Sequence, residues 1–450
     1  MLARVKKLAG IAGLLVLGTS VSAAAPTGSA PSFAAAKGYA TGRSPASVAI
    51  GDLNGDGQPD LVTANGGSDA PAGAVSVHFN NGDGSFRPRR NFVTGPDPEW
   101  VAMSDLNGDG SPDLATSNAE ASTVSVLLNR GDGSFRAKRD YATGSEPFSA
   151  AIGDLNRDGS PDLATANGGA NTVSVLLNSG DGSFQAKRDY ATGSGPNAVA
   201  IGDLDGDGRS DLATANGEDS ADSVSVLVNN GDGSFRARRE YRTGRLPTSV
   251  AIGDLNGDGK PDLATANLSV NNASVLLNRG NGSFRARRDY ATGRRPTSVV
   301  IGDLNGDGKS ELAITNSDQA SAVSVLTNNG DGSFEAKIDY RTRRFPISVA
   351  IGDLNGDGRA DLATANLAVA SVSVLLNKPG LCTVQNVRQM PLPAAKRTIA
   401  RANCRVGRIR RAYSSFVRRG RVVSQNPTFG RVLRGGGKVN LVVSRGRSPS

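Results

Sequence analysis

Apolar and polar positions along this chain form short segments that recur many times. In the third copy, apolar segments occupy residues 149–152, 163–166 and 173–177, and clusters rich in Gly, Asn and Asp separate them. Short Val-rich runs bounded by such turn residues predict strands. A fourth segment, residues 135–141 in the second copy, carries charges and alternates less cleanly. We therefore expect three buried strands and one outer strand per copy, because charges protect a sheet edge from unwanted pairing.

An acidic segment, Asp-Leu-Asn/Asp-Gly/Arg-Asp-Gly, marks the period of the repeat. It begins at seven aspartates spaced 49 to 53 residues apart, which are Asp52, Asp105, Asp154, Asp203, Asp254, Asp303 and Asp353. Four antiparallel strands in about 50 residues, repeated seven times, predict an all-β fold, a seven-bladed β-propeller.

The two ends of the repeated region complete one another. The seventh copy stops after Asn377, where residues 378–380 replace the usual hairpin and fourth strand. The missing pattern occurs near the N-terminus, in Ser32–Phe33 and residues 37–42. We therefore predict that an N-terminal strand closes the last blade. A closed ring also needs no capping repeats, unlike a linear solenoid.

Each acidic loop places oxygen-bearing side chains at positions 1, 3, 5 and 9, and position 7 can offer its backbone carbonyl. In the first loop, residues 52–60, Gly57 permits the sharp turn that such a loop needs. Carboxylate-rich ligation by oxygen alone suits Ca²⁺, which tolerates irregular geometry better than Mg²⁺ does. Asp-Gly and Asn-Gly pairs also occur as plain hairpin turns. A turn, however, does not require four oxygen-bearing side chains at fixed spacing in seven copies, so we expect about seven Ca²⁺ per chain.

The predicted ligands are listed here by loop position. Besides the seven aspartates at position 1, they are Asn54, Asn107, Asn156, Asp205, Asn256, Asn305 and Asn355 at position 3; Asp56, Asp109, Asp158, Asp207, Asp258, Asp307 and Asp357 at position 5; Gln58, Ser111, Ser160, Arg209, Lys260, Lys309 and Arg359 at position 7; and Asp60, Asp113, Asp162, Asp211, Asp262, Glu311 and Asp361 at position 9. The fourth loop has an extra carboxylate, Asp205, and is expected to bind most tightly. Arg157, at position 4 of the third loop, is expected to weaken that site through its charge.

A second acidic turn, Gly-Asp-Gly, follows the third apolar segment in most copies. It offers one carboxylate, at Asp83, Asp132, Asp181, Asp232 and Asp331, and Asn281 replaces it once. One carboxylate is a poor cation site, so we interpret these residues as turn formers.

Composition excludes several kinds of chemistry. The chain has 450 residues with one histidine, His78, and two cysteines. Chemistry that needs a His pair, a Ser-His-Asp triad or a His-rich zinc site is therefore almost excluded, and two cysteines rule out zinc ribbons and iron–sulfur clusters. Because the carboxylate clusters occur in seven copies, whereas an active site is normally a single constellation, we predict no catalytic residues and no enzyme activity.

The repeated Asp-x-Asn-x-Asp-Gly-x-x-Asp motif resembles the FG-GAP/VCBS repeats of integrin α-chain propellers and of many exported bacterial proteins. The resemblance covers residues 33 to 377. It implies Ca²⁺ in the loop that joins the first two strands of each blade. The variable loops between strands two and three would then lie on the opposite face of the ring.

The C-terminal region differs sharply in charge from the repeats. Residues 381–450 contain sixteen Lys or Arg and no Asp or Glu, and their periodicity predicts one short helix and three strands. Residues 420–427 and 439–444 resemble the Gly-x-Val-x-x-Gln-x-Pro and Val-x-Leu-Val-Val-Ser segments of a PASTA domain. Gln385 and Gln389 stand where that family usually has Pro and Gly. The resemblance implies binding to peptidoglycan.

Cys382 and Cys404 flank the expected helix of this PASTA-like region, and we expect them to form a disulfide. Closing such a loop stabilises a small domain by roughly 3 kcal/mol in the chain-entropy model.

The N-terminus predicts export. Arg4, Lys6 and Lys7 precede an apolar run and the small residues before Ala23, which is typical of a secretory signal peptide. The apolar run is too short to span a membrane. We therefore divide the chain into a signal peptide (1–23), a linker (24–32), a propeller (33–378), a PASTA-like domain (381–446) and a tail (447–450).

These patterns favour a secreted, calcium-binding propeller that serves in adhesion or recognition. The basic C-terminal domain would hold it to peptidoglycan or an anionic wall polymer. The top face of the propeller, which is the face that carries the variable loops, would bind a glycan or protein. We expect no nucleic-acid partner and no membrane span in the mature chain. The alternative is an exported polysaccharide-active enzyme, a lyase or hydrolase, built on the propeller.

Overall fold

The computed structural model of the chain describes residues 30–66, 73–218, 221–378, 382–402, 404–433 and 437–447. The predicted signal peptide lies outside these residues. Two compact units are present. Within the described residues, the larger unit comprises 35–302 and 309–376, and the smaller unit comprises 30–34, 303–308 and the residues from Asn377 onward. None of the helices in the described part of the chain is long and apolar enough to cross a membrane.

The larger unit consists of repeated antiparallel sheets. In the described residues there are seven four-stranded sheets, called blades 1 to 7 in chain order. The strands of blades 1 to 3 are, after β1 (Ser32–Phe33) and β2 (Lys37–Ala40), β3 (Pro45–Gly51), β4 (Asp60–Asn65), β5 (Ala74–His78) and β6 (Arg90–Val93); β7 (Pro98–Ser104), β8 (Asp113–Asn118), β9 (Thr123–Leu127) and β10 (Arg139–Ala142); and β11 (Pro147–Gly153), β12 (Asp162–Asn167), β13 (Thr172–Leu176) and β14 (Arg188–Ala191).

Blades 4 to 7 repeat this order with small changes in length. Their strands are β15 (Pro196–Gly202), β16 (Asp211–Asn216), β17 (Ser223–Leu227) and β18 (Arg239–Arg242); β19 (Pro247–Gly253), β20 (Asp262–Asn267), β21 (Asn272–Leu276) and β22 (Arg288–Ala291); β23 (Pro296–Gly302), β24 (Glu311–Asn316), β25 (Ala322–Leu326) and β26 (Ile338–Arg341); and β27 (Pro346–Gly352), β28 (Asp361–Asn366) and β29 (Ser371–Leu375). A 3₁₀ turn, Leu367–Val369, joins β28 to β29.

The ring closes through the N-terminal strand, as the sequence predicts. Strand β2 pairs antiparallel with β29, with Lys37 opposite Val374 and Ala40 opposite Ser371. It thereby becomes the outer strand of blade 7. The inner strand of each blade packs against the inner strands of both neighbours, and β27 of blade 7 packs against β3 of blade 1. The fold is therefore a closed β-propeller.

Burial follows the hydrophobic pattern. The second and third strands of every blade are almost wholly buried, as in blade 3. The outer strands of blades 1 to 6 each have one half-buried residue among exposed ones, and β2 of blade 7 has two. Most apolar clusters span a pair of neighbouring blades; one joins Val175 of blade 3 to Ile201 and Phe235 of blade 4. Because each core lies between two blades, a blade on its own would expose one face of its core.

The outer strand is shorter than the predicted segment 135–141. Phe135 forms only an isolated bridge with Asn129, and the strand itself begins at Arg139. Phe135 instead packs edge-on against Phe92 of the preceding blade, with ring centroids 4.8 Å apart. This aromatic contact turns the chain toward the neighbouring blade before the fourth strand starts.

The smaller unit contains the predicted helix and a small mixed sheet. Strand β30 (Asn377–Lys378) pairs with β1. The helix α1 (Leu392–Arg401) is accompanied by β31 (Cys382–Thr383), β32 (Cys404–Ala412), β33 (Val422–Asn426), β34 (Val432–Leu433) and β35 (Gly437–Ser444). β35 is central, parallel to β32 and antiparallel to β33. Val384, Ala395, Ile399 and Leu441 are among the residues of its core.

Candidate metal centres

The seven acidic loops connect the first and second strands of the blades. In blade 1 the loop runs from the end of β3 at Gly51 to the start of β4 at Asp60. Positions 4 and 6 adopt left-handed backbone conformations, with φ of +72° at Gly55 and +79° at Gly57. Glycine adopts this conformation without a steric penalty, so these two residues allow the loop to curl around its own side chains.

The side chains at positions 1, 3 and 5 accept hydrogen bonds from the backbone of the loop. In blade 1 the carboxylate of Asp52 accepts the N–H groups of Gly55 (2.8 Å) and Gly57 (2.7 Å). The side chains of Asn54 and Asp56 accept the N–H groups two residues further on, each at 2.9 Å. These bonds fix the oxygens inside the loop, and each oxygen keeps a further lone pair.

Position 9 is the buried member of each set. The carboxylate of Asp60 is fully buried and accepts the N–H groups of Leu53 (3.0 Å) and Asn80 (2.8 Å). Burial raises the pKa of Asp60 to about 6, although the two hydrogen bonds act in the opposite direction and lower it. Burial likewise raises the pKa to about 6 at Asp113, Asp162, Asp211 and Asp262. An anion in such a position is costly near neutral pH unless a cation compensates it.

The fourth loop brings three carboxylates together. Oxygens of Asp203, Asp205 and Asp211 all lie within 4.8 Å of one another. Burial and the neighbouring charges of Asp207 and Asp203 raise the pKa of Asp205. Three hard oxygen donors from positions 1, 3 and 9 fit a divalent cation such as Ca²⁺.

Position 5 of the fourth loop is not part of this triad. There, Asp207 forms an ion pair with Arg209 at position 7, with an N–O distance of 3.2 Å. Lys260 pairs in the same way with Asp258 in the fifth loop, at 3.8 Å. In these two loops the side chain at position 7 thus compensates the position-5 carboxylate, while the position-7 N–H donates to the same carboxylate at 3.0 Å.

The remaining loops follow the same plan. In the sixth loop, Asp303 accepts the N–H groups of Gly306 (2.6 Å) and Gly308 (2.8 Å). Glu311, which replaces Asp at position 9, is fully buried. In the seventh loop, Asp361 accepts the N–H of Leu354 at 2.9 Å.

The third loop differs at position 4, where Arg157 replaces glycine. Its backbone keeps the left-handed conformation, with φ of +66°. For a residue with a Cβ atom this conformation costs about 1 kcal/mol or more. The sequence suggested only an effect of charge here, and the structure adds backbone strain.

A ring of asparagines, for which the sequence pattern predicted no role, links neighbouring loops. Asn229, at the end of the third strand of blade 4, donates its amide hydrogens to the carbonyls of Ser210 in its own loop (2.7 Å) and Leu155 in the loop of blade 3 (2.8 Å). The same bond to the preceding loop recurs at Asn80, Asn129, Asn178, Asn278, Asn328 and Asn377. The backbone N–H of Asn229 also donates to Asp211, so each asparagine touches two candidate sites. The recurrence of this asparagine in all seven copies is the sequence signal from which a structural role could have been predicted.

The second acidic turns have the geometry of plain hairpin turns. Asp132 accepts both the N–H (2.9 Å) and the hydroxyl (2.6 Å) of Ser134. These bonds, the side-chain one first, lower the pKa of this exposed carboxylate.

The central axis of the larger unit holds an apolar cavity of about 370 Å³. Ile152, Ile201, Ile252 and Ile301 are among its lining residues. The indole of Trp100 also lines it and is buried in a cluster with Ala46 and Ile347.

His78, the single histidine, lies near the closing strand. Its Nε2 atom is 3.0 Å from the carbonyl oxygen of Ala40. Burial lowers its pKa, because the charged form is poorly solvated there. We interpret it as a buried strand residue.

In the smaller unit, Cys404 is buried in the core. The side chain of Cys382 lies outside the described residues, so the expected disulfide stays a prediction. Gln389, where the family usually has glycine, has a φ of +62°.

The comparisons with known proteins agree with this architecture. The FG-GAP-like repeat family matches six overlapping segments, 52–116, 105–165, 158–214, 203–265, 254–314 and 303–364. The PASTA domain family matches residues 383–445. No curated protein matches the chain.

Several solved structures resemble the chain at low identity. BBS1N in complex with ARL6DN has a TM-score of 0.55 at 11% identity, covering 76% of this chain and 96% of that chain. Hydrazine synthase of Kuenenia stuttgartiensis has a TM-score of 0.54 at 16% identity, covering 80% and 98%. Virginiamycin B lyase of Staphylococcus aureus has a TM-score of 0.52 at 14% identity, covering 76% and 99%. At these identities the likeness concerns the fold alone.

The fold and its repeated loops therefore define a β-propeller protein whose blades are sequence repeats. The chain belongs to the FG-GAP-like repeat family and carries a C-terminal PASTA domain. This combination indicates an extracellular or cell-envelope protein.

Proposed function

We propose that this protein is an exported, calcium-binding propeller that serves as a recognition or adhesion scaffold at the cell envelope, where its PASTA domain holds it to peptidoglycan. The observation that carries the calcium assignment is the convergence of Asp203, Asp205 and Asp211 within 4.8 Å in a loop that recurs in every blade. The PASTA match and the charge of the C-terminal region support the anchoring role.

In each loop, the side chains at positions 1, 3, 5 and 9 and the backbone carbonyl at position 7 would hold the ion. The ion would supply charge compensation for the carboxylates, including the buried one at position 9. The loop already orients its oxygens through backbone hydrogen bonds, so binding requires little rearrangement. We therefore assign calcium a structural role.

The scaffold role fits the distribution of polar groups better than an enzyme does. The loop carboxylates occur in equivalent copies around the ring, and half of the residues that line the axial cavity are isoleucine or alanine. Release of reducing ends from purified wall polymers by the protein would instead favour the polysaccharide-active enzyme.

Metal content tests the calcium assignment. Protein dialysed against millimolar CaCl₂ and then against metal-free buffer should retain about seven Ca²⁺ per chain by native mass spectrometry. A variant with Asp203, Asp205 and Asp211 all changed to Asn should lose about one ion. The matched control Asp232→Asn, in a hairpin turn, should lose none. Two or fewer ions in the wild type would contradict the assignment.

Sedimentation with purified peptidoglycan tests the anchor. The full chain should sediment with the insoluble polymer, and a chain that ends at Gly380 should stay in solution. Equal sedimentation of both chains would show that the PASTA domain is not the anchor.

A further inference from the structure

A belt of basic side chains follows the outer edge of blades 1 to 5. The outer segment of each blade runs from the residue after the hairpin phenylalanine to the end of the fourth strand; these segments are 87–93, 136–142, 185–191, 236–242 and 285–291. Together they contain fifteen Lys or Arg and four Asp or Glu, a net charge of +11. All the basic side chains are exposed except Lys138 and Lys187, which are half-buried.

Protection of sheet edges does not explain this belt. The corresponding segment of blade 6, residues 335–341, has two basic and two acidic residues. The outer strand of blade 7, β2, has one basic residue, Lys37. The outer strand of blade 6 is as exposed as those of blades 1 to 5, so a few charges of either sign are sufficient to protect an edge. The excess of one sign over five consecutive blades requires another reason.

Grooves between the blades cross this belt. The groove between blades 3 and 4 has a volume of about 410 Å³ and is lined by Tyr190, Leu227, Phe235, Arg236 and Arg238, among others. The next groove, between blades 4 and 5, has about 530 Å³, and its lining includes the equivalent residues Tyr241, Leu276, Phe284, Arg285 and Arg287. Both volumes lie in the range of ligand pockets, about 300–1,000 Å³.

The two grooves are consecutive along the rim. Glu240 lines both of them, so a chain that leaves one groove enters the next across the outer strand of blade 4. Each groove is rigid at its base, because Tyr190 and Tyr241 stack edge-on against Phe235 and Phe284 at 5.2 Å and 5.1 Å. Both tyrosine hydroxyls donate to backbone carbonyls of the neighbouring blade. The grooves are thus built before any ligand binds.

The chemistry of the grooves selects for an acidic carbohydrate. Arg238 and Arg287 pair with Glu240 and Asp289. Arg236, Arg242 and Arg285 line the same grooves and add three guanidinium groups, which bind carboxylates in a planar, bidentate manner. Aromatic and leucine side chains beside them offer apolar surface to the C–H face of a pyranose ring.

We infer that the basic rim of blades 1 to 5 binds an acidic polysaccharide whose hexuronate carboxylates pair with the groove arginines while its sugar rings occupy successive grooves. This inference names a ligand class for the proposed recognition role and places the ligand on the rim rather than on the top face. It rests on that role and is independent of the calcium and peptidoglycan assignments.

Binding of the full chain to immobilised polygalacturonate, measured by biolayer interferometry, tests the inference. The variant Arg236→Gln/Arg242→Gln/Arg285→Gln should bind about tenfold more weakly, since one exposed ionic contact changes affinity roughly two- to five-fold. The matched control Arg294→Gln/Arg341→Gln/Arg344→Gln removes the same charge from exposed sites of the larger unit outside the belt, and should bind within about twofold of the wild type. Thermal melts of both variants should match the wild type.

Further probes separate sugar recognition from simple attraction of charge. Polyglutamate carries carboxylates without sugar rings and should bind at least tenfold more weakly than polygalacturonate, and neutral dextran should not bind. Equal loss in the two triple variants, or polyglutamate binding as tight as polygalacturonate, would overturn the inference. The basic C-terminal region is present in every variant, so it contributes equally to each measurement. A normal calcium content and normal peptidoglycan sedimentation alongside such a result would leave the proposed function standing.

Discussion

The buried carboxylates at position 9 predict that the metal-free protein becomes more stable when the pH falls from 7.5 to 5.5. Asp60, Asp113, Asp162, Asp211 and Asp262 each have a pKa raised from 3.8 to about 6 by burial. A raised folded-state pKa means that the folded protein binds the proton more tightly than the unfolded chain. The resulting stabilisation is complete below pH 3.8 and is lost as the pH rises through 6.

The size of the effect follows from linkage. For a pKa of 6 in the folded state and 3.8 in the unfolded state, each carboxyl adds about 0.8 kcal/mol at pH 5.5 relative to pH 7.5. Five such groups give about 4 kcal/mol. His78 acts in the opposite sense, because burial lowers its pKa and makes protonation unfavourable in the folded state, so it reduces this gain. The five carboxyls alone correspond to a rise of roughly 6 °C in melting temperature for a unit of this size, and His78 makes the rise in the wild type smaller.

Thermal melts of calcium-free and calcium-loaded protein at pH 7.5, 6.5 and 5.5 measure the effect. Without calcium the melting temperature should rise on acidification, and the variant His78→Leu should rise further, since Leu occupies this strand position in other blades. With saturating calcium the rise should disappear or reverse, because bound ions already compensate the carboxylates and protons compete with them. A metal-free melting temperature that falls steadily from pH 7.5 to 5.5 in His78→Leu would refute the reasoning.

Three further predictions concern individual residues. Arg157→Gly should stabilise the propeller by about 1 kcal/mol, because glycine adopts the left-handed backbone without strain. The reciprocal change Gly108→Arg should destabilise it by a similar amount, since Gly108 has a φ of +74° and no atom lies within 4 Å of an added Cβ. Denaturant unfolding measures both changes, and effects of the same sign would contradict the strain argument. Gln389→Gly should slow amide exchange in helix α1 about fivefold for the same reason, and unchanged exchange would show that the backbone there is relaxed. Asn229→Ala should destabilise the protein by about 2–4 kcal/mol, because two carbonyl groups lose their hydrogen-bond donors. The control Asn230→Ala, at the exposed neighbouring residue, should change the free energy of unfolding by no more than about 0.5 kcal/mol. Equal effects of the two changes in denaturant unfolding would mean that the link to the preceding loop is unimportant.

Features encoded within one repeat could be predicted from the sequence. Strand positions follow from Val-rich runs between turn residues, and the acidic loops follow from oxygen-bearing residues at fixed spacing. Closure by residues 37–42 could also be predicted, because the pattern absent after Asn377 is present there. Each of these inferences needs only the local pattern and its period.

Features that depend on contacts between blades could not be predicted. The bond from Asn229 to Leu155 joins residues 74 positions apart, and strand patterns contain no information about such a partner. The outer strand begins late because Phe135 packs on Phe92, which is also a contact between blades. The left-handed backbone of Arg157 was not predicted for another reason. The sequence shows the charge of Arg157, but only the structure shows that position 4 has a positive φ, which the other copies adopt with glycine.

The asparagine links have a consequence for how the protein opens. In a linear array of repeats, the terminal unit has one interface and frays first, so unfolding can proceed inward one unit at a time. Here the asparagine of each blade reaches the loop before it, and Asn80 of blade 1 reaches Leu354 of blade 7. Every blade therefore has two such junctions, one with each neighbour, and a blade cannot separate from the ring without breaking both junctions. Partial opening has no inexpensive starting point, so a protease reaches the buried second and third strands only when a large part of the ring opens at once.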